Sequence, residues 1–160
     1  MYEKVLVPLD GSPLSESVIA HAEEIAAKFG SELLLLRVVP TLTGLMAETL
    51  PQSGLQTAGV EAELGVEVAQ KEYESERANA GQYLDAIAGR FTARGLKVQR
   101  LILEGAAGRA ILEAAQENGA GLIAMSTRSR RGLARSVLGS VADEVVRESH
   151  LPVLLIHPQS

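Results

Sequence analysis

The chain has 160 residues, a length that fits one domain spanning 1–160. Hydrophobic residues make up 46% of it and aromatic residues only 3%, so we expect a globular protein with an aliphatic core and no aromatic platform for single-stranded nucleic acid. The absence of cysteine excludes disulfides and thiolate chemistry, and the formal net charge of −5 opposes a nucleic-acid-binding role.

The N-terminal segment predicts where the protein resides. Residues 1–10 lead directly into a strand-like run and contain no basic region followed by a long apolar stretch, so we expect no signal peptide. No apolar run approaches the roughly 18 residues that a membrane-spanning helix needs. Together with the lack of cysteine, these features predict a cytoplasmic protein without a membrane partner.

Hydrophobic periodicity predicts strands that alternate with helices. Short apolar runs indicate buried strands, and the longest, Glu32–Val39, lacks the alternation of a half-exposed strand. Apolar residues at helical spacing, such as those from Val18 to Phe29, indicate the helices. The predicted elements are a strand at 5–7, a helix at 13–29, a strand at 32–39, a loop at 41–60 with one helical turn near 45–50, a helix at 61–94, a strand at 97–103, a turn at 105–108, a helix at 109–117, a strand at 122–125, a basic loop at 126–140, a helix from Ser140 and a strand at 152–157.

This order of elements predicts an α/β fold with a parallel sheet and helices on both faces. Ligands of such sheets bind at the carboxyl ends of the strands, near the point where the strand order reverses. Segment 8–12 follows the first predicted strand, and segment 126–140 follows the fourth. We therefore expect these two segments to form one ligand site.

Segment 126–140 has the chemistry of a phosphate-binding loop. It contains four arginines and no acidic residue. Serine hydroxyls, glycines that permit close backbone approach and a helix N-terminus are typical of sites that hold phosphate. Ser140 and Asp143 match a capping box, which would mark the start of the last helix. The alternative is that the arginines form a solvated surface and that Ser140 only caps the helix.

The other polar residues favour binding over catalysis. Asp10 follows the first strand, where it would either face a ligand or cap the next turn. His21, His150 and His157 lack the spacing of a metal site, and no Ser-His-Asp arrangement is evident, so we predict no catalytic residue and no metal site. The chain also lacks a Walker P-loop and a Gly-x-Gly-x-x-Gly motif after a strand.

Five pieces of the sequence resemble one known family along the whole chain. They are Val5–Ser12, Leu35–Val39, Glu104–Ile111, Leu138–Val145 and Ser149–Ile156. On these pieces the chain resembles the universal stress protein (UspA) family. The resemblance implies an open five-stranded parallel sheet of order 3-2-1-4-5, Rossmann-like and of the adenine nucleotide alpha hydrolase-like type. It also implies a homodimer in which the edge strand Val153–Ile156 pairs with its copy.

The same resemblance bears on nucleotide binding, because the family contains both binders and non-binders. Binders carry Gly-x2-Gly-x9-Gly-Ser/Thr after the fourth strand, and this chain has Ser126, Ser129, Gly139 and Ser140 at those positions. The spacing is kept, but both leading glycines are serines. A serine Cβ narrows the space for ribose and phosphate, whereas its hydroxyl can donate to phosphate. For a binder, the resemblance implies ATP or AMP, with or without Mg²⁺.

The family's nucleotide contacts fall on the two segments and on residues near them. The predicted nucleotide-binding residues are Pro8, Leu9, Asp10, Val38, Gly105, Ala107, Met125, Ser126, Thr127, Arg128, Ser129, Arg130, Gly139, Ser140 and Val141. We expect an adenine-nucleotide-binding dimer of the stress response. The two serines leave open a dimeric interaction module that binds no nucleotide. A slow ATPase or autokinase lacks a convincing general base, and a nucleic-acid binder is opposed by the acidic composition.

Overall fold

The structure of the protein, a computed structural model, describes residues 1–49, 60–127 and 138–157. Within these residues the chain forms five strands and six helices. In chain order they are β1 (Lys4–Pro8), α1 (Pro13–Glu16), α2 (Ile19–Phe29), β2 (Glu32–Val39), α3 (Leu42–Thr49), α4 (Val60–Thr92), β3 (Lys97–Glu104), α5 (Ala107–Glu117), β4 (Leu122–Ser126), α6 (Ser140–Glu148) and β5 (Val153–Ile156). The predicted alternation of strands and helices is confirmed.

The five strands form one parallel sheet in the order β3-β2-β1-β4-β5. This confirms the predicted strand order. The chain moves outward from β1 through β2 to β3, and then returns to the other side of β1 with β4 and β5. The strand order therefore reverses between β1 and β4, and their carboxyl ends meet at the same edge of the sheet.

Alternate side chains of β2 enter two separate cores. The core on one face contains Leu33, Leu35, Leu84 and Phe91, and the core on the other face contains Leu34, Leu36, Ile111 and Val145. Helices α2 and α4 cover the first face, and α5 and α6 cover the second. Both faces of the sheet are therefore covered, which explains why β2 is apolar without alternation. The same alternation directs Arg37 and Val38 to opposite faces at the end of the strand.

The helix predicted over 13–29 is divided into α1 and α2. The hydroxyl of Ser17 donates to the carbonyl oxygen of Leu14 at 2.7 Å, and bonds of this kind compete with regular helix formation. Phe29, predicted to face the core, is instead 61% exposed. Its ring contacts that of Tyr2 edge-on, with the ring centroids 5.4 Å apart.

The loop predicted over 41–60, with one helical turn near 45–50, contains in its first part a regular helix, α3, which begins earlier and is longer than the predicted turn. Thr41 caps this helix, because its Oγ1 accepts a hydrogen bond from the amide of Gly44 at 3.1 Å. Leu45 is buried and anchors the helix. Gly44 and the short length of α3 weaken the helical periodicity in the sequence. Residues 50–59 lie outside the described part of the chain.

The helices predicted after residue 60 are present as α4, α5 and α6. Helix α4 has 33 residues and continues through its glycines. Val145 of α6 is buried as predicted, but Val146 is 42% exposed, because successive residues of a helix differ by about 100° in direction. Among the described helices, none is both long enough and apolar enough to cross a membrane.

Candidate functional site

A cavity of about 360 Å³ lies at the carboxyl edge of the sheet, where the strand order reverses. Residues that follow β1 and β4 meet there with the ends of β2, α5 and α6. The lining residues are Pro8, Leu9, Asp10, Leu14, Ser15, Leu36, Arg37, Val38, Ala107, Ile111, Met125, Ser126, Thr127, Gly139, Ser140, Val141 and Ala142. The volume falls within the usual range for small-molecule sites.

One side of the cavity is the turn between β1 and α1. Asp10 Oδ1 accepts a hydrogen bond from the amide of Ser12 at 2.8 Å, and the amide of Asp10 donates to Ser15 Oγ at 3.2 Å. Ser15 is itself 7% exposed and lines the cavity. Asp10 therefore makes the local turn contact that was one of its two predicted roles, and it also lines the cavity.

The carboxyl of Asp10 is held in its ionised form. Burial raises its pKa, but the hydrogen bonds from Ser12 and Ser15 and the positive charge of Arg37 outweigh that effect. The net result is a pKa below the ordinary value of 3.8. Among the described residues that line the cavity, Asp10 thus supplies a carboxylate and Arg37 a guanidinium. These two groups form no ion pair within 4 Å of each other, nor does Arg37 with any other described acidic group.

The opposite side of the cavity is the N-terminus of α6. The first helical hydrogen bond runs from the amide of Asp143 to the carbonyl oxygen of Gly139, at 2.9 Å. Gly139 is the N-cap, and no side chain caps the helix. The predicted capping box is therefore wrong, because Ser140 already lies inside the first turn. The amides of Ser140, Val141 and Ala142 have no acceptor within the helix, and all three residues line the cavity.

The surface between these two sides is mainly apolar. Leu36 and Val38 of β2, Ile111 of α5 and Met125 of β4 supply it. Leu36, Ile111 and Met125 are buried parts of the second core. An apolar floor with charged and polar groups at its two ends suits a ligand that has a flat apolar body and a polar or anionic end.

Most of the predicted nucleotide-binding residues meet at this cavity. They are Pro8, Leu9, Asp10, Val38, Ala107, Met125, Ser126, Thr127, Gly139, Ser140 and Val141. Gly105 does not line it. That residue forms the turn before α5, with φ +109°, and its amide donates to the carbonyl oxygen of Val39 at 3.1 Å. Arg128, Ser129 and Arg130 lie outside the described residues.

The structure adds cavity residues that the sequence interpretation missed. They are Leu14, Ser15, Leu36, Arg37, Ile111 and Ala142. Arg37 is the most informative of them, since it places a positive charge at the carboxyl end of a strand that is otherwise apolar. A charged residue near the end of an apolar run was the available signal. Ser15 and Ala142 required knowledge of how α1 and α6 meet the sheet.

The histidines remain apart from the cavity. His21, His150 and His157 are all exposed, and none of them lines it. Within the described residues, no group of three or more histidine, aspartate or glutamate side chains is arranged to hold a metal ion. Asp10 is the acidic residue among those that line the cavity.

The fold and the cavity define a parallel α/β protein with a cavity at the switch point of its sheet. A model of the universal stress protein family matches residues 1–157. The chain therefore belongs to the universal stress protein family, as the sequence pieces predicted.

Individual proteins agree with this assignment. The chain is 31% identical over 159 residues to universal stress protein MJ0531 of Methanocaldococcus jannaschii, which covers 98% of this chain and 82% of that protein. The solved structure of hypothetical protein MJ0577 superposes with a TM-score of 0.74 at 25% identity and covers 100% of this chain and 99% of that chain. A universal stress protein solved in complex with cAMP shares the fold, with a TM-score of 0.67 at 23% identity over 99% and 98% of the two chains.

Proposed function

We propose that this universal stress protein binds an adenine nucleotide, AMP or ATP, in the cavity between β1 and β4. In this proposal it acts in the cytoplasm as a binding and signalling protein rather than as an enzyme. The observation that carries the proposal is the N-terminus of α6, where backbone amides without an acceptor inside the helix line the same cavity as an apolar floor and an ionised Asp10. The universal stress protein in complex with cAMP supports the choice of an adenine nucleotide.

The phosphate end of the nucleotide is assigned to α6. The amides of Ser140, Val141 and Ala142 and the hydroxyl of Ser140 provide donors there, and the positive end of the helix dipole favours an anion. Ser126, half-buried at the end of β4, adds a hydroxyl on the same side. Arg128 and Arg130 follow it in the sequence and supply further positive charge in this proposal.

The nucleoside end is assigned to β1 and β2. Val38 and Met125 offer apolar contacts to a flat base. Asp10 accepts hydrogen bonds from ligand hydroxyl or amino groups, and Arg37 donates to ligand acceptors. Strands in a sheet are about 4.8 Å apart, so β2 and β4 are separated by roughly 10 Å. A nucleotide spans that distance with its base at one end and its phosphate at the other.

We further propose that the protein is a homodimer whose two copies pair through the segment Val153–Ile156. This segment is the edge strand β5, and it has β4 as its neighbour on one side only. All four of its side chains are half-buried in the single chain. A strand with one edge that pairs with no described strand is a template for pairing with a second copy.

The test begins with what the purified protein carries. The protein is denatured, released small molecules are analysed by mass spectrometry, and the refolded or nucleotide-free protein is titrated with AMP and ATP by calorimetry, with and without Mg²⁺. The proposal expects binding at micromolar to millimolar nucleotide. No carried-over adenine nucleotide together with no binding at millimolar concentration would support instead the dimeric interaction module without nucleotide.

Glycine variants at the motif serines sharpen this test. The Ser126→Gly, Ser129→Gly double variant restores the glycines of nucleotide-binding members. Affinity that rises in the variant would show that the serine Cβ atoms crowd the ligand, and affinity that falls would show that the hydroxyls contact it. Ser75→Gly on the exposed face of α4 controls for the general effect of such a change.

A further inference from the structure

Thr127 is a buried polar residue that touches three parts of the site at once. It follows β4, is 3% exposed and lines the cavity. Its amide donates to the carbonyl oxygen of Ile156 at 3.0 Å, and its Oγ1 accepts from the amide of Gly139 at 3.2 Å. One residue thus connects the end of β4, the end of β5 and the N-cap of α6.

The backbone bond makes Thr127 a firm anchor. The hydrogen bond to Ile156 extends the ladder between β4 and β5 by one residue, so the sheet fixes the Thr127 backbone. A β-branched side chain has few rotamers when its backbone is fixed. The position of Oγ1 is therefore set by the sheet and not by the chain that leads to α6.

The N-terminal end of α6 has apolar attachments, since Leu138 and Val141 pack against the second core. The helix body is held by Ala142 and Val145, which are buried in the second core. Ser140 is exposed, and Gly139 is half-buried without a side chain to pack. The hydrogen bond from Gly139 to Thr127 is the one polar contact from residues 138–140 to the sheet within the described structure.

We propose that Thr127 is a positioning residue, whose hydroxyl holds the first turn of α6 so that its free amides face the phosphate of the ligand. This inference rests on the proposed nucleotide site and deepens it. Thr127 acts here through Gly139 rather than as a direct ligand. Loss of the Thr127 hydroxyl must consequently weaken the binding of the phosphate and leave the binding of the nucleoside unchanged.

The experiment compares AMP with adenosine as calorimetric probes. Thr127→Val keeps the shape of the side chain but removes the acceptor for Gly139. We expect Thr127→Val to weaken AMP binding about tenfold, the effect of one lost hydrogen bond, with adenosine binding unchanged. Thr127→Ser restores the hydroxyl and is expected to bind AMP within about twofold of the original protein. Thr92→Val removes a hydroxyl contact on exposed α4 and is the matched control.

Hydrogen exchange of the Gly139 amide, followed by NMR without ligand, supplies a second readout. The proposal expects exchange at least about tenfold faster in Thr127→Val and near the original rate in Thr127→Ser. Thr127→Ala, measured in the same way, replaces Thr127→Val if the valine variant does not fold.

The outcomes separate this inference from the proposed function. Equal loss of AMP and adenosine affinity, or AMP affinity that is unchanged or tighter in Thr127→Val, overturns the positioning role while the nucleotide site stands. A wild-type protein that binds neither probe refutes the nucleotide site. The role toward a phosphate then falls as well, and Gly139 exchange in Thr127→Val decides only whether the hydroxyl holds the first turn of α6: faster exchange shows that it does, and unchanged exchange shows that it does not.

Discussion

The carboxylate of Asp10 accepts a hydrogen bond of 2.8 Å from the amide of Ser12, two residues further along the chain. This contact turns the backbone from β1 into α1 and leaves Asp10 at the cavity. This bond engages Oδ1, and a carboxylate offers about four acceptor sites in all. Asp10 can thus hold its own loop and still accept a hydrogen bond from a ligand.

The lowered pKa of Asp10 predicts an acid-dependent part of the stability. A carboxyl whose pKa is lower in the folded than in the unfolded protein stabilises the fold above its unfolded pKa, and this stability is lost as the pH falls through the folded pKa. The ordinary value is 3.8, so the loss occurs below it. We expect Asp10→Asn to destabilise the protein at about pH 6 by less than about 1 kcal/mol, because solvent screens the exposed carboxylate.

The measurement is urea unfolding of both proteins at about pH 6 and about pH 2.5. The difference between them is expected to shrink at the lower pH, because the carboxyl of the original protein takes up a proton as the pH falls toward its lowered pKa. A difference that stays constant or grows on acidification would show that the pKa of Asp10 is not lowered by folding.

A negative charge at the start of α6 is expected to have opposite effects on the stability of the helix and on the binding of phosphate. Ser140→Glu places a carboxylate in the first turn, where the helix dipole favours it. The same carboxylate repels a phosphate in the cavity. We expect unchanged or slightly higher thermal stability and at least about tenfold weaker AMP binding, with adenosine binding retained. Ser75→Glu on exposed α4 controls for net charge. Unchanged AMP affinity in Ser140→Glu would show that the phosphate does not bind at this end of the cavity.

The sequence predicted the sheet well because burial on both faces leaves a strong pattern. The apolar run Glu32–Val39 and its partners could be placed from hydrophobicity alone, and chain alternation then limited the topology. Side-chain hydrogen bonds that interrupt or start a helix are harder to predict from the sequence. The hydroxyl of Ser17 interrupts the first helix, and Thr41 starts α3 where glycine hides the periodicity.

The site was predictable where it depends on strand ends and less so where it depends on packing. Asp10 follows from the rule that ligands bind at carboxyl ends, and Met125 was implied by the family resemblance. Arg37 was missed because a charged residue in an apolar strand suggests an edge or a surface. Its place in the cavity depends on β2 lying next to β1, with the carboxyl ends of the two strands aligned.

Tyr83 carries a buried hydroxyl without a hydrogen-bond partner among the described residues. Burial, with a contribution from the Glu16 carboxylate, raises its pKa to about 12. Removing an unsatisfied buried polar atom relieves a desolvation cost. We expect Tyr83→Phe to leave the free energy of unfolding unchanged or to raise it by up to about 1 kcal/mol. Tyr73→Phe is the matched comparison, because Tyr73 donates to Glu104 at 2.6 Å, and its loss is expected to destabilise slightly.

The dependence of the free energy of unfolding on pH above 10.0 gives a second test of Tyr83. A tyrosine whose pKa is raised by folding stays neutral in the folded protein while the unfolded chain ionises. The stability present below the unfolded pKa of 10.0 is therefore reduced as the pH rises from 10.0 toward about 12. Tyr83→Phe is expected to flatten this loss between those values. An equally steep loss in the variant would mean that Tyr83 is not the group responsible.

Gly108 of α5 lies where a Cβ atom would collide with the carboxylate of Glu144 on α6. A glycine-to-alanine change inside a helix normally stabilises by about 0.5–1 kcal/mol. Gly89 of α4 has open space at the Cβ position, so Gly89→Ala is expected to show that gain. Gly108→Ala is expected to show less or a loss, and the addition of Glu144→Ala is expected to restore it. Equal gains at both glycines would show that the Glu144 side chain moves aside at little cost.

The free edge of β5 gives the sharpest test of the proposed dimer. Ile123 donates to the carbonyl oxygen of Pro152 and Thr127 donates to that of Ile156, so the even-numbered residues of β5 direct their backbone groups toward β4. The odd-numbered residues, Val153 and Leu155, then direct theirs toward the free edge.

Proline substitutions distinguish the edge of β5 that faces β4 from its free edge, because each proline removes one backbone donor. Leu155→Pro is expected to abolish dimerisation in sedimentation experiments while thermal unfolding stays cooperative, because proline is tolerated where the N–H faces away from the sheet. Leu154→Pro removes a donor that faces β4 and is expected to lower the melting temperature as well. A Leu155→Pro protein that remains a dimer would place the dimer contact somewhere other than the β5 edge.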